Sequence, residues 1–156
     1  MPKCRIHLAS RASTYRRFAR ELVRPDDTVI ELGASTGKTT TLLAARAARV
    51  IAVEHSAQVA AATRDRFAAR ANVTIITGDA FDAGPVLALT KRADAVFVDI
   101  GGSAAPWQTM DLARRYLRLF RPSLLVLRNT KLNSFVASLD SFERDASGHY
   151  WTSKEP

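Results

Sequence analysis

Residues 31–40 read ELGASTGKTT, a glycine-bracketed loop that follows the apolar run TVIEL at residues 28–32. In an open α/β sheet, ligands bind outside the carboxyl ends of the strands, beside the point where the strand order reverses. If residues 28–32 form the first strand of such a sheet, this loop stands at that point. The stretch therefore predicts both an α/β architecture and the position of a binding site.

The composition is that of an ordinary globular chain, with 156 residues, 47% of them hydrophobic and 24% charged. No apolar run reaches the ~18 residues that a membrane span requires, and the N-terminus lacks the apolar segment of a secretory signal. The single cysteine, Cys4, excludes an internal disulfide and suits a reducing cytoplasm. We therefore predict one cytoplasmic domain over residues 1–156, without a membrane segment or a metal site.

The net charge of +8 is concentrated in two segments. Residues 1–24 carry seven Lys or Arg against one acid, and residues 112–139 carry six and no acid. Such clustering indicates an anionic partner. A second interpretation stays open, because a chain with 18 Arg and 26 Ala has the composition of a GC-rich genome, in which arginine fills solvated helix faces.

Five short, nearly continuous apolar runs predict strands that are covered on both faces, as in a parallel sheet. They are TVIEL (28–32), RVIAVE (49–54), NVTIIT (72–77), DAVFVDI (94–100) and SLLVLR (123–128). Helices are predicted over 11–24, 37–48, 57–69, 107–119 and about 133–142, with a short turn near 85–89. This alternation predicts a three-layer, doubly wound, mostly parallel sheet.

The chain after the fifth run is short for such a fold. Only a helix and one strand near HYWTS (149–153) are predicted there. The fifth strand would then be an exposed sheet edge, through which a second copy or a partner subunit could pair.

Two phosphate-binding interpretations of the loop fit poorly. The nucleotide-phosphate cradle needs four residues between its first glycine and Gly-Lys-Ser/Thr, whereas three separate Gly33 from Gly37. The dinucleotide fingerprint would need glycine at positions 33, 35 and 38, and only Gly33 matches. A nucleotide binder of the phosphate-cradle kind therefore remains a remote alternative.

Acidic residues end four of the predicted strands or follow them directly: Glu31, Glu54, Asp79 and Asp99. Carboxylates grouped at one sheet edge would repel a diphosphate. They would favour a ligand with a sulfonium, an ammonium group, ribose hydroxyls and an adenine amine. S-adenosylmethionine has all of these groups.

With these residues the chain resembles the class I S-adenosylmethionine-dependent methyltransferases. The four motifs, VIELGASTG, VIAVEHS, TGDAF and DAVFVDI, occur in the family's order and spacing between residues 28 and 128. The resemblance implies strand order 3-2-1-4-5, S-adenosylmethionine as cofactor and S-adenosylhomocysteine as product. Two departures are Ser35, where the family has its middle glycine, and RPS before the fifth strand, where it has a glycine pair.

The resemblance also implies a role for each motif. The backbone of the loop from Gly33 to Gly37 would approach the methionine part, with Glu31 holding the ammonium indirectly. Glu54 would bind the ribose hydroxyls, and Asp99 would face the methyl-transfer centre as the candidate catalytic residue. The full predicted cofactor set is Glu31, Gly33, Ala34, Ser35, Gly37, Glu54, His55 beside the adenine, Asp79 for its amine, Ala80 for its ring, and Asp99.

The acceptor is indicated less clearly. The segment DIGGSAAPWQ (99–108) lacks the Asn/Asp-Pro-Pro-aromatic signature of enzymes that methylate exocyclic amines of adenine, or of glutamine, which disfavours that class. The chain faintly resembles fibrillarin and the FtsJ-type RNA ribose methyltransferases, which carry an Asp and a Lys near the positions of Asp99 and Arg128. Arginine stays protonated and cannot serve as a base, and Lys131 is offset. Metal-dependent O-methyltransferases pair such an Asp with Asp-Asn, but Arg128 replaces the second acid here, which disfavours a metal.

We therefore predict a methyltransferase with an anionic acceptor, RNA before a small molecule. Arg128, Lys131 and Trp107 are the predicted substrate-side residues, with Trp107 either stacking on the acceptor or anchoring its helix in the core. The alternatives are a small-molecule methyltransferase and a minimal S-adenosylmethionine-binding module that a partner or a second copy completes.

Overall fold

Six parallel strands form the central sheet of the protein. A computed structural model describes residues 4–139 and, for the backbone alone, residues 143–144 and 150–151. The strands are β1 (Arg5–Ala9), β2 (Thr28–Leu32), β3 (Arg49–Glu54), β4 (Val73–Thr77), β5 (Ala95–Val98) and β6 (Leu124–Arg128). Their spatial order is β1-β6-β5-β2-β3-β4. Read from β4, this confirms the predicted order 3-2-1-4-5 and adds one strand.

The added strand, β1, shows that the predicted sheet edge was wrong. β1 pairs in parallel with β6 along its whole length, from Arg5 opposite Leu124 to Ala9 opposite Arg128. The fifth predicted strand therefore lies inside the sheet and offers no free edge to a partner. The segment RIHLA escaped prediction because it is an edge strand: Ile6 is 59% exposed, and the segment lacks a continuous apolar run.

The described residues contain six helices, five of them where helices were predicted and one at the short turn predicted near 85–89. They are α1 (Ala12–Glu21), α2 (Lys38–Ala44), α3 (Ala57–Arg66), α4 (Gly84–Leu89), α5 (Pro106–Phe120) and α6 (Thr130–Ala137). α2 ends four residues earlier than predicted. α6 begins three residues earlier than predicted because the Asn129 side chain caps it, accepting from Leu132 N at 2.8 Å. Within the described residues, no helix combines the length and apolar character needed to cross a bilayer.

The helices cover both faces of the sheet, as the predicted three-layer architecture requires. Successive residues of a strand point to opposite faces, so Val29 and Ile30 belong to two different clusters of the core. The first cluster packs α1, α2 and α3 against the sheet through Tyr15, Ala19, Leu43, Ala60 and Phe67. The second packs α4 and α5 against the other face through Val86, Leu112, Tyr116 and Phe120.

A two-stranded antiparallel sheet, β7 (Glu143–Arg144) and β8 (Tyr150–Trp151), follows in the chain. The predicted strand near HYWTS coincides with β8 at its centre. Its other three residues lie outside the described part of the chain. The prediction that the chain after the fifth strand is short for this fold falls on the same region, most of which lies outside the described residues.

Candidate active site

A cleft of about 540 Å³ opens where β2, β3, β4 and β5 end. These strands end at one edge because they are parallel, and the order reverses beside β2, so the cleft lies where open α/β sheets bind ligands. Nine of the predicted site residues line it: Gly33, Ala34, Ser35, Glu54, His55, Asp79, Ala80, Asp99 and Arg128. Four predicted residues, Glu31, Gly37, Trp107 and Lys131, are not among its lining residues.

The loop between β2 and α2 is held in a left-handed, glycine-like conformation. Gly33 has φ +92°, and a Cβ on it would overlap the carbonyl oxygen of Asp99. Its amide and that of Ala34 both donate to Val53 O, at 2.9 and 3.0 Å. Gly37, at φ +76°, begins α2 so close to Phe67 that a Cβ would lie 2.6 Å from the ring. The loop therefore needs glycine at its two ends.

Ser35, at the position of the family's middle glycine, has a left-handed backbone conformation. Its φ is +48°, in the left-handed region that non-glycine residues adopt rarely. Two hydrogen bonds hold it there: its amide donates to Glu54 Oε2 at 2.8 Å, and its carbonyl accepts from the Thr63 hydroxyl at 2.7 Å. Serine is thus held at this position in a conformation that glycine adopts readily.

Glu54 joins the loops that follow β2 and β3. Its Oε2 accepts from the Ser35 amide, and its Oε1 accepts from the Ser56 amide, each at 2.8 Å. Both oxygens therefore face backbone donors while the side chain lines the cleft. The carboxylate holds the walls of the cleft together and also presents negative charge to its interior.

Glu31 lies behind the loop and outside the cleft. It is 1% exposed, and its Oε2 accepts from the Thr40 hydroxyl at 2.6 Å. Burial raises the pKa of this carboxyl to about 8, against the Thr40 hydrogen bond and with the help of the negative charges of Asp99 and Glu54. An indirect contact with the cofactor, as predicted, is compatible with this position.

The buried Glu31 should make stability depend on pH. The pKa of Glu31 rises from 4.5 to about 8 on folding. The protonated carboxyl therefore gives its full contribution to the free energy of unfolding below pH 4.5, and this contribution is lost as the pH rises through 8. Glu31→Gln mimics the protonated carboxyl. Without cofactor, its melting temperature should match that of the wild type at about pH 5 and exceed it by about 5 °C at about pH 9. A difference in melting temperature between Glu31→Gln and the wild type that is the same at every pH in this range would contradict the prediction.

The third motif forms the far wall of the cleft. Asp79 accepts from the Phe81 amide at 2.9 Å, which turns the chain toward the cleft. The carbonyl of Ala80 accepts from the buried Tyr116 hydroxyl at 3.0 Å, so that α5 fixes its position. Phe81 also lines the cleft. Sequence reasoning did not name Phe81, although it stands inside the quoted motif TGDAF.

Asp99 and Arg128 form an ion pair across the ends of β5 and β6. Nη1 of Arg128 lies 2.8 Å from each carboxylate oxygen of Asp99. The two strands are neighbours, so their last side chains meet at the cleft. The Gly101 amide also donates to Asp99, at 3.2 Å. The candidate catalytic carboxylate is therefore engaged by an arginine, a pairing that the sequence did not predict.

Two of the predicted substrate-side residues lie away from this pair. Trp107 is 66% exposed, so the prediction that it anchors its helix in the core is wrong; Leu112, Tyr116 and Phe120 do so. Lys131 is exposed on α6. Asn129 is fully buried, where its amide donates to Ala104 O and to the Thr109 hydroxyl.

Residues that the sequence did not single out also line the cleft, chiefly Arg16, Lys38, Phe81 and Gln108. Arg16 comes from α1, which precedes the first motif. No local sequence pattern marks Arg16 as a site residue, because its place beside the cleft depends on how α1 packs beside α2 and β6.

The polar groups of the cleft fit the predicted cofactor. Glu54 and Asp79 place carboxylates at one end, where ribose hydroxyls and an adenine amine could donate to them. Phe81 adds an apolar ring, and the glycine loop exposes backbone to the middle of the cleft. The same carboxylates would oppose a diphosphate.

The known proteins that the chain resembles are methyltransferases. The chain matches the FtsJ-like methyltransferase family over residues 12–147. It is 50% identical over 56 residues to a probable ribosomal RNA small subunit methyltransferase A of Methanosarcina mazei, a match that covers 36% of this chain and 21% of that protein. It is 35% identical over 99 residues to an ornithine lipid N-methyltransferase of Singulisphaera acidiphila, covering 62% and 51%.

The fold has counterparts among solved structures. Fibrillarin of Aeropyrum pernix, crystallised with S-adenosyl-L-methionine, superposes with a TM-score of 0.57 at 23% identity, covering 71% of this chain and 50% of that one. The chain spans about a fifth to a half of the length of the two curated relatives.

Proposed function

Because the chain belongs to the FtsJ-like methyltransferase family, we propose that it transfers a methyl group from S-adenosylmethionine to RNA. Membership confirms the class I methyltransferase resemblance and S-adenosylmethionine as the cofactor of the family. The cofactor, when bound, supplies a methyl group made electrophilic by its sulfonium.

The cleft residues divide the binding of the cofactor among them. Glu54 takes the ribose hydroxyls, Asp79 and the amide of Ala80 take the adenine, and His55 flanks the ring. The loop from Gly33 to Gly37 holds the methionine part. Two features support this assignment: the carboxylates at the ends of β3 and β4, and the glycine-like backbone of the loop.

The observation that carries RNA as the acceptor is the division of charge along the sheet. Pairing of β1 with β6 brings the end of the second basic segment, with Arg128, beside the start of α1 in the first, because Ala9 lies opposite Arg128. The arginines of α5 lie on the opposite face of the sheet from α1. The Thr130 hydroxyl donates to Ser10 O at 3.0 Å, which joins the starts of α1 and α6. Glu54 and Asp79 lie at the other end of the sheet edge. A polyanion would meet the basic side and leave the acidic side to the cofactor.

The proteins that resemble the chain give partial support for this acceptor. One curated relative is named for ribosomal RNA methylation, and another is named for methylation of ornithine lipid. The match to each is partial, so the charge division of this chain is the stronger argument. A lipid acceptor is an outcome that the test must separate.

The side chains beside Asp99 contribute charge and alignment. Arg128 stays protonated and therefore cannot accept a proton from the acceptor. Its ion pair with Asp99 fixes both side chains at the end of the cleft. Holding two reactants in line can by itself remove much of the barrier to a displacement.

The proposal is tested with S-adenosylmethionine carrying a tritiated methyl group. We expect label in an RNA transcript, lost after ribonuclease treatment, and no label in vesicles that contain ornithine lipid. If about three phosphates of single-stranded RNA are contacted, RNA affinity should fall roughly 20-fold between 50 and 200 mM salt. No label in RNA even at low salt would refute the RNA acceptor, and label in the lipid extract would replace it.

The same preparation tests the alternative of an incomplete module. Gel filtration with light scattering gives the mass of the active species. A monomer that labels RNA unaided would exclude the need for a partner or a second copy.

A further inference from the structure

Two arginine side chains, Arg16 of α1 and Arg128 of β6, line the cleft. The Nε of each is buried, and neither Nε has a hydrogen-bond partner among the described residues. Buried polar groups in folded proteins almost always have a partner, and an unpartnered buried donor is costly. Two such donors in one cleft indicate a place that an acceptor from outside the chain completes.

The local charge favours an anion as that acceptor. Asp99 directs both oxygens to Nη1 of Arg128, at 2.8 Å. Among the described side chains, no carboxylate lies within ion-pair distance of Arg16. Asp99 therefore pairs with Arg128 alone, and the positive charge of Arg16 has no counter-ion among the described side chains.

The guanidinium of Arg128 is held in position before any ligand arrives. Gly102 packs so closely on it that a Cβ there would lie 2.6 Å from Nη2 and 2.9 Å from Cζ. The Gly102 carbonyl accepts from the Thr130 amide at 2.8 Å, so this loop is tied to the start of α6. Pre-positioned donors lose little freedom when they bind.

A third unpaired donor adjoins this cluster. The hydroxyl of Tyr15 is buried and has no partner among the described residues. Burial raises its pKa well above the ordinary value, and the negative charges of Glu31 and Asp99 act in the same direction, against Arg128. Tyr15 therefore keeps its proton, but it is buried behind the cleft and is not among the lining residues.

We propose that Arg16 and Arg128 form an anion subsite that holds a phosphate group of the acceptor. The subsite rests on the proposed function and names the group by which an RNA acceptor is positioned. A phosphate presents several oxygens to donors, and guanidinium groups bind it through charge-assisted hydrogen bonds. Asp99 acts in it as the positioning residue that orients Arg128.

The test uses the full chain saturated with S-adenosylhomocysteine and titrated with inorganic phosphate. The arginine Nε–H signals are followed by nitrogen-15 NMR. We expect saturable shifts for Arg16 and Arg128, and an affinity about 10-fold lower in Arg16→Gln. Arg17→Gln is the matched control, since Arg17 is 58% exposed on the same helix and the charge change is identical. Equal weakening by both variants, or no saturable shift, would overturn the subsite.

A second variant keeps both arginines. Gly102→Ala should displace the Arg128 guanidinium and lower phosphate affinity by about as much as Arg16→Gln. Melting curves establish that the variants are folded. Unchanged phosphate affinity in folded Gly102→Ala would contradict the proposed role of Arg128.

The RNA assay distinguishes failure of the subsite from failure of the proposed function. If RNA is methylated and Arg16→Gln leaves the KM for RNA unchanged, the subsite is wrong and the function stands. If phosphate binds in the Arg16-dependent manner but RNA is not methylated, the RNA acceptor is wrong and the subsite stands. An increase of about 10-fold in KM with little change in kcat supports both.

Discussion

Gly33→Ala is expected to lower the free energy of unfolding by about 4 kcal/mol. Two independent costs add at this position. The backbone has φ +92°, which strains any residue with a Cβ. The added Cβ would also overlap the carbonyl oxygen of Asp99, so β2 and β5 would have to separate at the base of the cleft. Cofactor binding should be lost with the local structure.

Urea denaturation at equilibrium measures this effect. Gly78→Ala is the matched control, because Gly78 has no strained φ and its added Cβ would meet only Ile76 Cγ2, at 3.9 Å. Its unfolding midpoint should stay close to that of the wild type. If Gly33→Ala unfolds at the same urea concentration as Gly78→Ala, the close approach of β2 and β5 described above is wrong.

Glu54→Ala is expected to weaken S-adenosylhomocysteine binding about 100-fold. In the proposed complex, the carboxylate accepts charge-assisted hydrogen bonds from the ribose hydroxyls. The substitution also leaves the amides of Ser35 and Ser56 without their acceptor, which loosens two walls of the cleft. Both effects act on cofactor affinity in the same direction.

Isothermal titration calorimetry separates this effect from a change of net charge. Asp65→Ala removes the same charge from an exposed position on α3 and should bind S-adenosylhomocysteine as the wild type does. Glu54→Gln keeps an acceptor oxygen and should lie between the two, about 10-fold weaker than the wild type. Equal affinity of Glu54→Ala and Asp65→Ala would disprove the assignment of Glu54 to the ribose.

The features that could be predicted from the sequence are those that depend on neighbouring residues, such as apolar runs and the acids that follow them. The runs that became β2, β3, β5 and β6 are interior strands and largely buried, and each is nearly continuous in apolar residues, as is the edge strand β4. Parallel strands end at one edge, so Glu54, Asp79 and Asp99 could be placed at one cleft from chain order alone. The resemblance to the class I methyltransferases then implied the strand order, and it agreed with the acids at this edge in indicating the cofactor.

Contacts between distant segments supplied the rest, because local patterns do not record them. β1 is half exposed and was found only through its pairing with β6, which turned a predicted free edge into an interior strand. That pairing set α1 beside the cleft and so brought in Arg16. The raised pKa of Glu31, near 8, depends on its burial. The ion pair between Asp99 and Arg128 depends on the distance between two segments that are far apart in the chain. The sequence determined the sheet and the acids at its edge, whereas the charge facing the acceptor was decided by the packing of residues far apart in the chain.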